Sequence, residues 1–70
     1  MTLTEYMDYL GWSISDLARK ADIMRPTATR ALRGDPVQPR IAQKIASALS
    51  EAMDMKLLPG DIEGLVIERQ

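Results

Sequence analysis

The sequence contains no cysteine and no histidine, and these two absences remove most enzyme chemistry. Without cysteine the chain has no disulfide, no thiol nucleophile and no cysteine ligand for zinc. Without histidine it lacks the commonest general base. We therefore expect a protein that is not an enzyme, and no cofactor, metal or small-molecule site is evident in the sequence.

Aromatic residues and long apolar runs are also scarce. Phe is absent and there are one Trp and two Tyr, yet 46% of the 70 residues are apolar, so Leu, Ile, Ala and Met must build the core. Such a composition is typical of packed helices. No apolar run approaches the roughly 20 residues that cross a bilayer, and the chain does not start like a signal peptide. We expect one small all-α domain over residues 1–70, located in the cytoplasm and not in a membrane.

The net charge of −1 conceals an uneven distribution of charge. Residues 1–18 carry three acids and no base, residues 19–44 carry seven bases and two acids, and residues 45–70 carry two bases and five acids. A basic centre between acidic flanks indicates a local anion-binding face, because the charge close to a partner attracts its phosphates. A solvated charged surface explains the same pattern equally well.

Apolar spacing and terminal residues predict four helices, over about residues 3–10, 14–21, 25–33 and 39–52. Capping boxes of the form Ser/Thr-x-x-acid precede the first two helices, and a proline lies in the first turn of the other two. Gly11 and Gly34 are expected to end the first and third helices. The predicted terminal residues are Thr2 with Glu5, Ser13 with Asp16, Pro26 and Pro39.

The C-terminal segment is less regular, because Pro59-Gly60 interrupts it. Residues 60–67 fit a short fifth helix, and the run Leu65-Val66-Ile67 fits a strand over about 64–68, so periodicity leaves both open. The preceding apolar residues fit either a dimer surface or the cover of a small core. They are Met53, Met55, Leu57 and Leu58.

The third predicted helix has two chemically different faces when it is drawn at about 100° per residue. The inner face is small and apolar, with Ala28, Ala31 and Leu32. The outer face has Arg25, Pro26, Thr29, Arg30 and Arg33. Small inner residues allow close packing on helix 2. Three arginines with no acid between them favour contact with DNA over a solvated face, because they would otherwise repel one another.

Arginine in a helix that enters the major groove can donate two parallel hydrogen bonds to O6 and N7 of guanine, worth roughly 1 to 3 kcal/mol of discrimination. Arg25 and Arg30 are therefore the candidate base readers. Thr29 could contact a base or a phosphate. Arg33, near the end of the helix, is a candidate phosphate contact.

Other conspicuous residues are interpreted as structural. Arg19 and Lys20 are close to Asp16 and Asp22, which are suitable partners for ordinary surface pairs. Trp12, between helices 1 and 2, is expected in the core. The C-terminal carboxylates are interpreted as solvating groups: Asp61, Glu63 and Glu68.

Residues 13–34 resemble the helix-turn-helix of lambda-repressor-like (Xre, Cro) transcriptional regulators, and residues 39–49 are similar to the family's fourth helix. The resemblance covers about residues 3–50. Its most specific parts are Leu17-Ala18, Ile23, the stretch 27–30 and Arg33-Gly34. It implies a small four- to five-helix DNA-binding domain, with the helix-turn-helix at helices 2 and 3, that binds operator DNA, usually as a homodimer.

Positions carried over from the family define a candidate site. The family reads bases at positions that correspond to Arg25, Pro26, Thr27, Thr29 and Arg30. It meets the DNA backbone at positions that correspond to Ser13, Ser15, Arg33, Gln38, Arg40 and Lys44. The start of helix 2 would also offer amide donors to a phosphate.

Four residues depart from the family pattern. Ile14 replaces a Gln that touches a phosphate in many members, so that contact is expected to be absent. Met24 replaces the Ser or Thr that usually caps the recognition helix. Asp22 replaces a turn Gly, although Asp can adopt the left-handed conformation at some cost. Pro26 offers a base only shape or apolar contact, which leaves more of the base reading to the arginines.

The sequence thus predicts a sequence-specific DNA-binding protein that acts as a small transcriptional regulator, a repressor of phage or prophage type by resemblance. Its expected partners are a double-stranded DNA operator and a second copy of the chain. Two other interpretations stay open. One is a helical protein-interaction module, such as an antitoxin or adaptor, whose basic face binds an acidic partner. The other is a non-specific nucleoid-type binder.

Overall fold

Four α-helices build the fold, and the computed structural model describes residues 1–69. The helices are α1 (Leu3–Leu10), α2 (Ile14–Ala21), α3 (Arg25–Leu32) and α4 (Pro39–Met53), followed by a 3-10 turn at Pro59–Asp61. The only β pairing among residues 1–69 consists of two isolated bridges. The chain is therefore a small all-α domain, with extents of 31 × 23 × 18 Å. Within the same residues, no helix has the length and apolar character needed to cross a membrane.

The ends of α1 and α2 follow from local sequence. The Ser13 Oγ accepts a hydrogen bond from the Asp16 amide at 3.2 Å, and the Asp16 carboxylate accepts one from the Ser13 amide at 2.8 Å. Thr2 and Glu5 form the same reciprocal pair at α1. Both helices end on a left-handed residue, Gly11 and Asp22, as predicted. Asp22 has φ 57° and ψ 51°, a conformation that costs a non-glycine residue about 1 kcal/mol.

The bounds of α3 and α4 each differ from the prediction by one residue. Arg33 lies just beyond α3 with φ −80° and ψ −5°, and Gly34 is the left-handed residue with φ 81°. Pro26 lies in the first turn of α3, and Pro39 is the first residue of α4. Met24 precedes α3 without forming a side-chain cap, which agrees with its departure from the Ser or Thr pattern.

The core lies where α2 packs against α3 and α4. Its largest fully buried side chains are Leu17, Ile45 and Leu49. Ala28 and Ala31 are 0% and 1% exposed, so α3 rests on its small residues close to the core. Trp12 is half-buried and packs against this core, which confirms the structural interpretation of that residue.

The two predictions for the C-terminal segment are both wrong, because residues 60–67 form neither an α-helix nor a strand. Pro59 opens a 3-10 turn, and Gly64 reverses the chain with φ 80°. Glu63 then bridges to Thr2, and Ile67 bridges to Val37. Because the segment pairs with two separate parts of the chain, no continuous ladder forms. Buried Ile62 and Leu65 anchor it to the core.

The apolar residues at 53–58 differ in burial. Leu57 is buried and Met53 is partly buried against the core, so these two cover it. Met55 and Leu58 are 51% and 52% exposed. Ser50 fixes this segment to α4, because its Oγ accepts a hydrogen bond from the Leu57 amide at 2.8 Å.

Candidate nucleic-acid interface

The face of α3 that points away from the core carries the candidate base-reading residues. Arg25, Pro26 and Arg30 are exposed, while Thr27 and Thr29 are half-buried. The opposite face buries Ala28 and Ala31. The division follows from helical geometry, because at about 100° per residue Arg25, Thr29 and Arg30 fall on one side of the helix and the two alanines on the other. The structure therefore places Arg25, Thr29 and Arg30 on the outer side of α3.

Arg25 and Arg30 differ in how their side chains are held. The Arg30 Nη2 donates a hydrogen bond to the main-chain carbonyl oxygen of Pro36 at 3.0 Å. This bond ties the middle of α3 to the connection between α3 and α4. Arg25 has no side-chain hydrogen bond or ion pair within residues 1–69. Arg25 can therefore reorient freely toward a ligand, whereas Arg30 is directed toward the connection.

Arg33 lies just past the end of α3, beside a carboxylate. Its Nε is 3.9 Å from the Asp35 Oδ2, and the two side chains are 70% and 44% exposed. An ion pair this exposed and this long contributes little to stability, because water screens it. Arg33 can exchange Asp35 for a phosphate at small cost.

The start of α2 is less open to an anion than the sequence predicts. The Ser13 Oγ accepts from the Asp16 amide and lies 3.1 Å from the Asp16 Oδ2, to which it donates. Hydrogen bonds from the Ser13 amide and hydroxyl, with the Arg19 guanidinium in support, hold the pKa of Asp16 below its usual value. The Asp16 carboxylate thus occupies the N-terminus of α2. Exposed Ser15 and the unpaired amides of the first turn remain available.

Lys44 makes an intramolecular contact that the sequence does not predict. Its Nζ donates to the main-chain carbonyl oxygen of Asp22 at 3.3 Å and lies 3.8 Å from the Asp22 Oδ2. The ammonium group therefore caps the C-terminus of α2, where the helix dipole favours a positive charge. The linear sequence gives no signal for this contact, because 22 residues separate the partners.

The remaining candidate backbone contacts lie at the start of α4. Gln38 and Arg40 are exposed there, on either side of Pro39. Gln38 precedes the helix and makes no capping hydrogen bond with its side chain. Both side chains are therefore free to meet a ligand at this end of α4.

A cavity of about 210 Å³ brings part of the candidate site together with the C-terminal segment. Its lining residues include three of the candidates, Thr27, Arg30 and Gln38. Glu68 also lines this cavity, although the sequence had suggested only a solvating group. No linear motif predicts this placement, because it depends on the return of the segment to Val37.

Charge on this side of the molecule is only partly neutralised. The ion pairs within residues 1–69 are Arg19 with Asp16, Arg33 with Asp35 and Lys44 with Asp22. Arg25, Arg30 and Arg40 are in none of them. The expected surface pair of Arg19 is confirmed, whereas Lys20 forms no ion pair in this part of the chain.

No protein-family model, curated protein or solved structure matches this chain. Among residues 1–69 no cluster of three or more Asp or Glu residues is arranged to hold a metal ion. The site consists of the exposed guanidinium groups of Arg25, Arg30 and Arg40, with hydroxyl and amide groups around α3 and the start of α4. These groups suit an extended polyanion.

Proposed function

We propose that the protein binds double-stranded DNA sequence-specifically, with α2 and α3 as a helix-turn-helix of the lambda-repressor-like type that the sequence resembles. In this proposal α3 enters the major groove. The observation that carries it is the division of α3, which seats Ala28 and Ala31 in the core and leaves Arg25 and Arg30 exposed on the other side. An α-helix of this kind fits the major groove, and arginine is the side chain that most often reads guanine there.

Affinity in this proposal comes mainly from phosphates and is strongly dependent on salt. Arg33, Gln38 and Arg40 would contact the DNA backbone around α3. Arg25 would supply more of the base preference than Arg30, because Arg30 must also keep or exchange its bond to Pro36. Pro26 would offer shape, and the two threonines a methyl or hydroxyl group. Lys44 would support the fold of the motif instead of meeting a phosphate.

The protein would act as a small transcriptional repressor of phage or prophage type that occludes a promoter. We propose that it binds as a homodimer, because one short helix reads few base pairs and a two-fold site doubles them. Val66 and Ile67, which are 42% and 38% exposed, are the candidate contact. The contact can be tested by measuring the molar mass of a variant. Truncation after Leu58 would also remove buried Ile62 and Leu65, so the single substitution Ile67→Lys is the sharper test. A dimer that persists in this variant would place the interface elsewhere.

The experiment that tests DNA binding is selection from a random pool of duplexes at about 50 and 200 mM salt. The wild type should recover one motif, with an inverted repeat if it binds as a dimer. Arg25→Ala should relax the preference at one position per half-site and cost about 1 to 3 kcal/mol of discrimination. Arg19→Ala is the matched control, because Arg19 lies on α2 in an ion pair with Asp16. Salt-sensitive binding without a motif would indicate a non-specific binder.

A protein-interaction module is the second candidate function, and one observation favours it. Met24, at the start of α3, is 74% exposed beside Arg25, which gives the basic face an apolar contact as well. Acidic partner proteins would use both features. Competition with excess selected duplex distinguishes the two functions. A protein partner that stays bound would show that DNA is not the ligand of this face, and a partner that is displaced would show that it is.

A further inference from the structure

The C-terminal segment is held beside the candidate interface by main-chain hydrogen bonds. The Val37 amide donates to the Val66 carbonyl oxygen at 2.9 Å, and the Glu68 amide donates to the Val37 carbonyl oxygen at 2.7 Å. Val37 itself is 3% exposed, in the connection between α3 and α4. The backbone of residues 66–68 is therefore fixed to that connection, although it belongs to no regular element.

This pairing places an acidic residue beside candidate DNA contacts. Glu68 lines the cavity of about 210 Å³ together with Thr27, Arg30 and Gln38. It is the single acidic residue among the six that form the lining, which also includes Val37 and Ile41. Glu68 therefore adds a negative charge beside the candidate contacts Thr27, Arg30 and Gln38.

The charge of Glu68 is not cancelled by a close cation. Within residues 1–69 no Lys or Arg nitrogen lies within 4.0 Å of its carboxylate, whereas the three pairs of the protein involve other acids. Arg30 shares the cavity but directs its Nη2 to the Pro36 carbonyl oxygen. An exposed carboxylate without a close cation repels phosphates, most strongly within a screening length of about 8 Å at physiological salt.

We propose that Glu68 limits the affinity of this face for DNA, and that the pairing of residues 66–68 with Val37 is what holds its carboxylate there. The inference rests on the proposed function. Its consequence is weaker binding to the DNA backbone, so that occupancy depends more on base contacts from α3. The sequence-based interpretation of Glu68 as a solvating group is replaced by a role in setting affinity.

The test compares Glu68→Gln with the wild type and with Glu51→Gln in binding to a duplex of selected sequence at about 50 mM salt. Glu51 is an exposed residue near the end of α4 that lines a different cavity, with Trp12 and Lys20. The two variants change net charge equally. Glu68→Gln should bind about 3- to 10-fold more tightly, and the gain should shrink at about 200 mM salt. Glu51→Gln should change affinity less than about 2-fold, because Glu51 lines a cavity that contains none of the candidate DNA contacts.

A second variant protects the test against a change of fold. Glu68→Asp keeps the charge and the main-chain bond to Val37, and it should bind within about 2-fold of the wild type. Equal gains for Glu68→Gln and Glu51→Gln, no gain, or a loss of affinity in Glu68→Gln would each overturn the role of Glu68 while leaving the proposed function intact. A wild type that binds no duplex in the selection would overturn both.

Discussion

The Lys44 Nζ donates a hydrogen bond to the main-chain carbonyl oxygen of Asp22, 3.3 Å away, and so joins α4 to the turn between α2 and α3. Asp22 ends α2 in the left-handed conformation, and α3 begins three residues later. The contact therefore fixes the element on which the orientation of α3 depends. It is made by a side chain from the longest helix, outside the α2 and α3 pair.

The first prediction concerns Lys44→Met, which removes the ammonium group and keeps most of the aliphatic stem. The free energy of unfolding should fall by about 0.5 to 1 kcal/mol, a modest value because the Lys44 side chain is 41% exposed. Urea denaturation measures it. Lys56→Met, in the irregular segment after α4, makes the same change of charge and should have little effect. Equal stability of the two variants would argue against a structural role for Lys44.

Asp22→Gly should stabilise the protein by about 0.5 to 1 kcal/mol, because glycine adopts φ 57° without the penalty that aspartate bears. The change also removes a negative charge from the C-terminus of α2, which the helix dipole disfavours. The ion pair that it removes, with Lys44 at 3.8 Å, contributes little because the Asp22 side chain is 97% exposed. Asp54→Gly, at the other left-handed aspartate, should act similarly. Asp8→Gly, inside α1, should destabilise instead. Thermal denaturation measures the three variants. A loss of stability in Asp22→Gly, like the loss expected for Asp8→Gly, would show that the left-handed conformation of Asp22 is not costly.

Ser50→Ala should lower the free energy of unfolding by about 1 to 3 kcal/mol, because it leaves the amide of buried Leu57 without its acceptor. The Ser50 Oγ also donates to the Ala46 carbonyl oxygen at 2.7 Å, so one hydroxyl links α4 to the segment that follows it. Ser47→Ala is the control, since Ser47 is exposed on the same helix. Denaturant titration of both variants should separate them, and similar midpoints would refute the role of Ser50.

Met24→Ser should stabilise α3 by about 1 kcal/mol, because it supplies the cap that the helix lacks. The backbone at Met24, φ −78° and ψ 149°, already has the extended conformation of a capping residue. The new hydroxyl would accept from the amide of Thr27. Met55→Ser makes the same exchange at an exposed methionine outside a helix, and it should give no such gain in calorimetry.

The capping boxes predict how stability depends on pH. Hydrogen bonds from Thr2 and from Ser13 lower the pKa values of Glu5 and Asp16. A lowered pKa in the folded state stabilises the fold above the ordinary carboxyl value, and this stabilisation is lost as pH falls through the lowered pKa. The free energy of unfolding should therefore decrease as the pH drops below about 5. Asp16→Asn should weaken that dependence more than Asp8→Asn, and identical pH profiles would exclude a contribution from the cap of α2.

Local sequence predicted the four helices because their signals act over a few residues. Capping boxes, first-turn prolines and left-handed end residues each involve neighbours, and the structure forms them at Ser13, Pro39 and Gly34, among others. The two faces of α3 followed from periodicity alone. Exposure of Arg25 and burial of Ala28 needed no knowledge of the partner helix.

The path of residues 59–69 and the environments of Lys44, Arg30 and Glu68 were decided by the tertiary structure. Each depends on a contact between distant parts of the chain: Lys44 with Asp22, and the C-terminal segment with Val37. Hydrophobic period indicates which face of an element is buried but not which carbonyl a flexible side chain reaches. A segment without a period, such as residues 62–68, has no local rule to fix it. The main-chain hydrogen bonds with Val37 and the burial of Ile62 and Leu65 set its position.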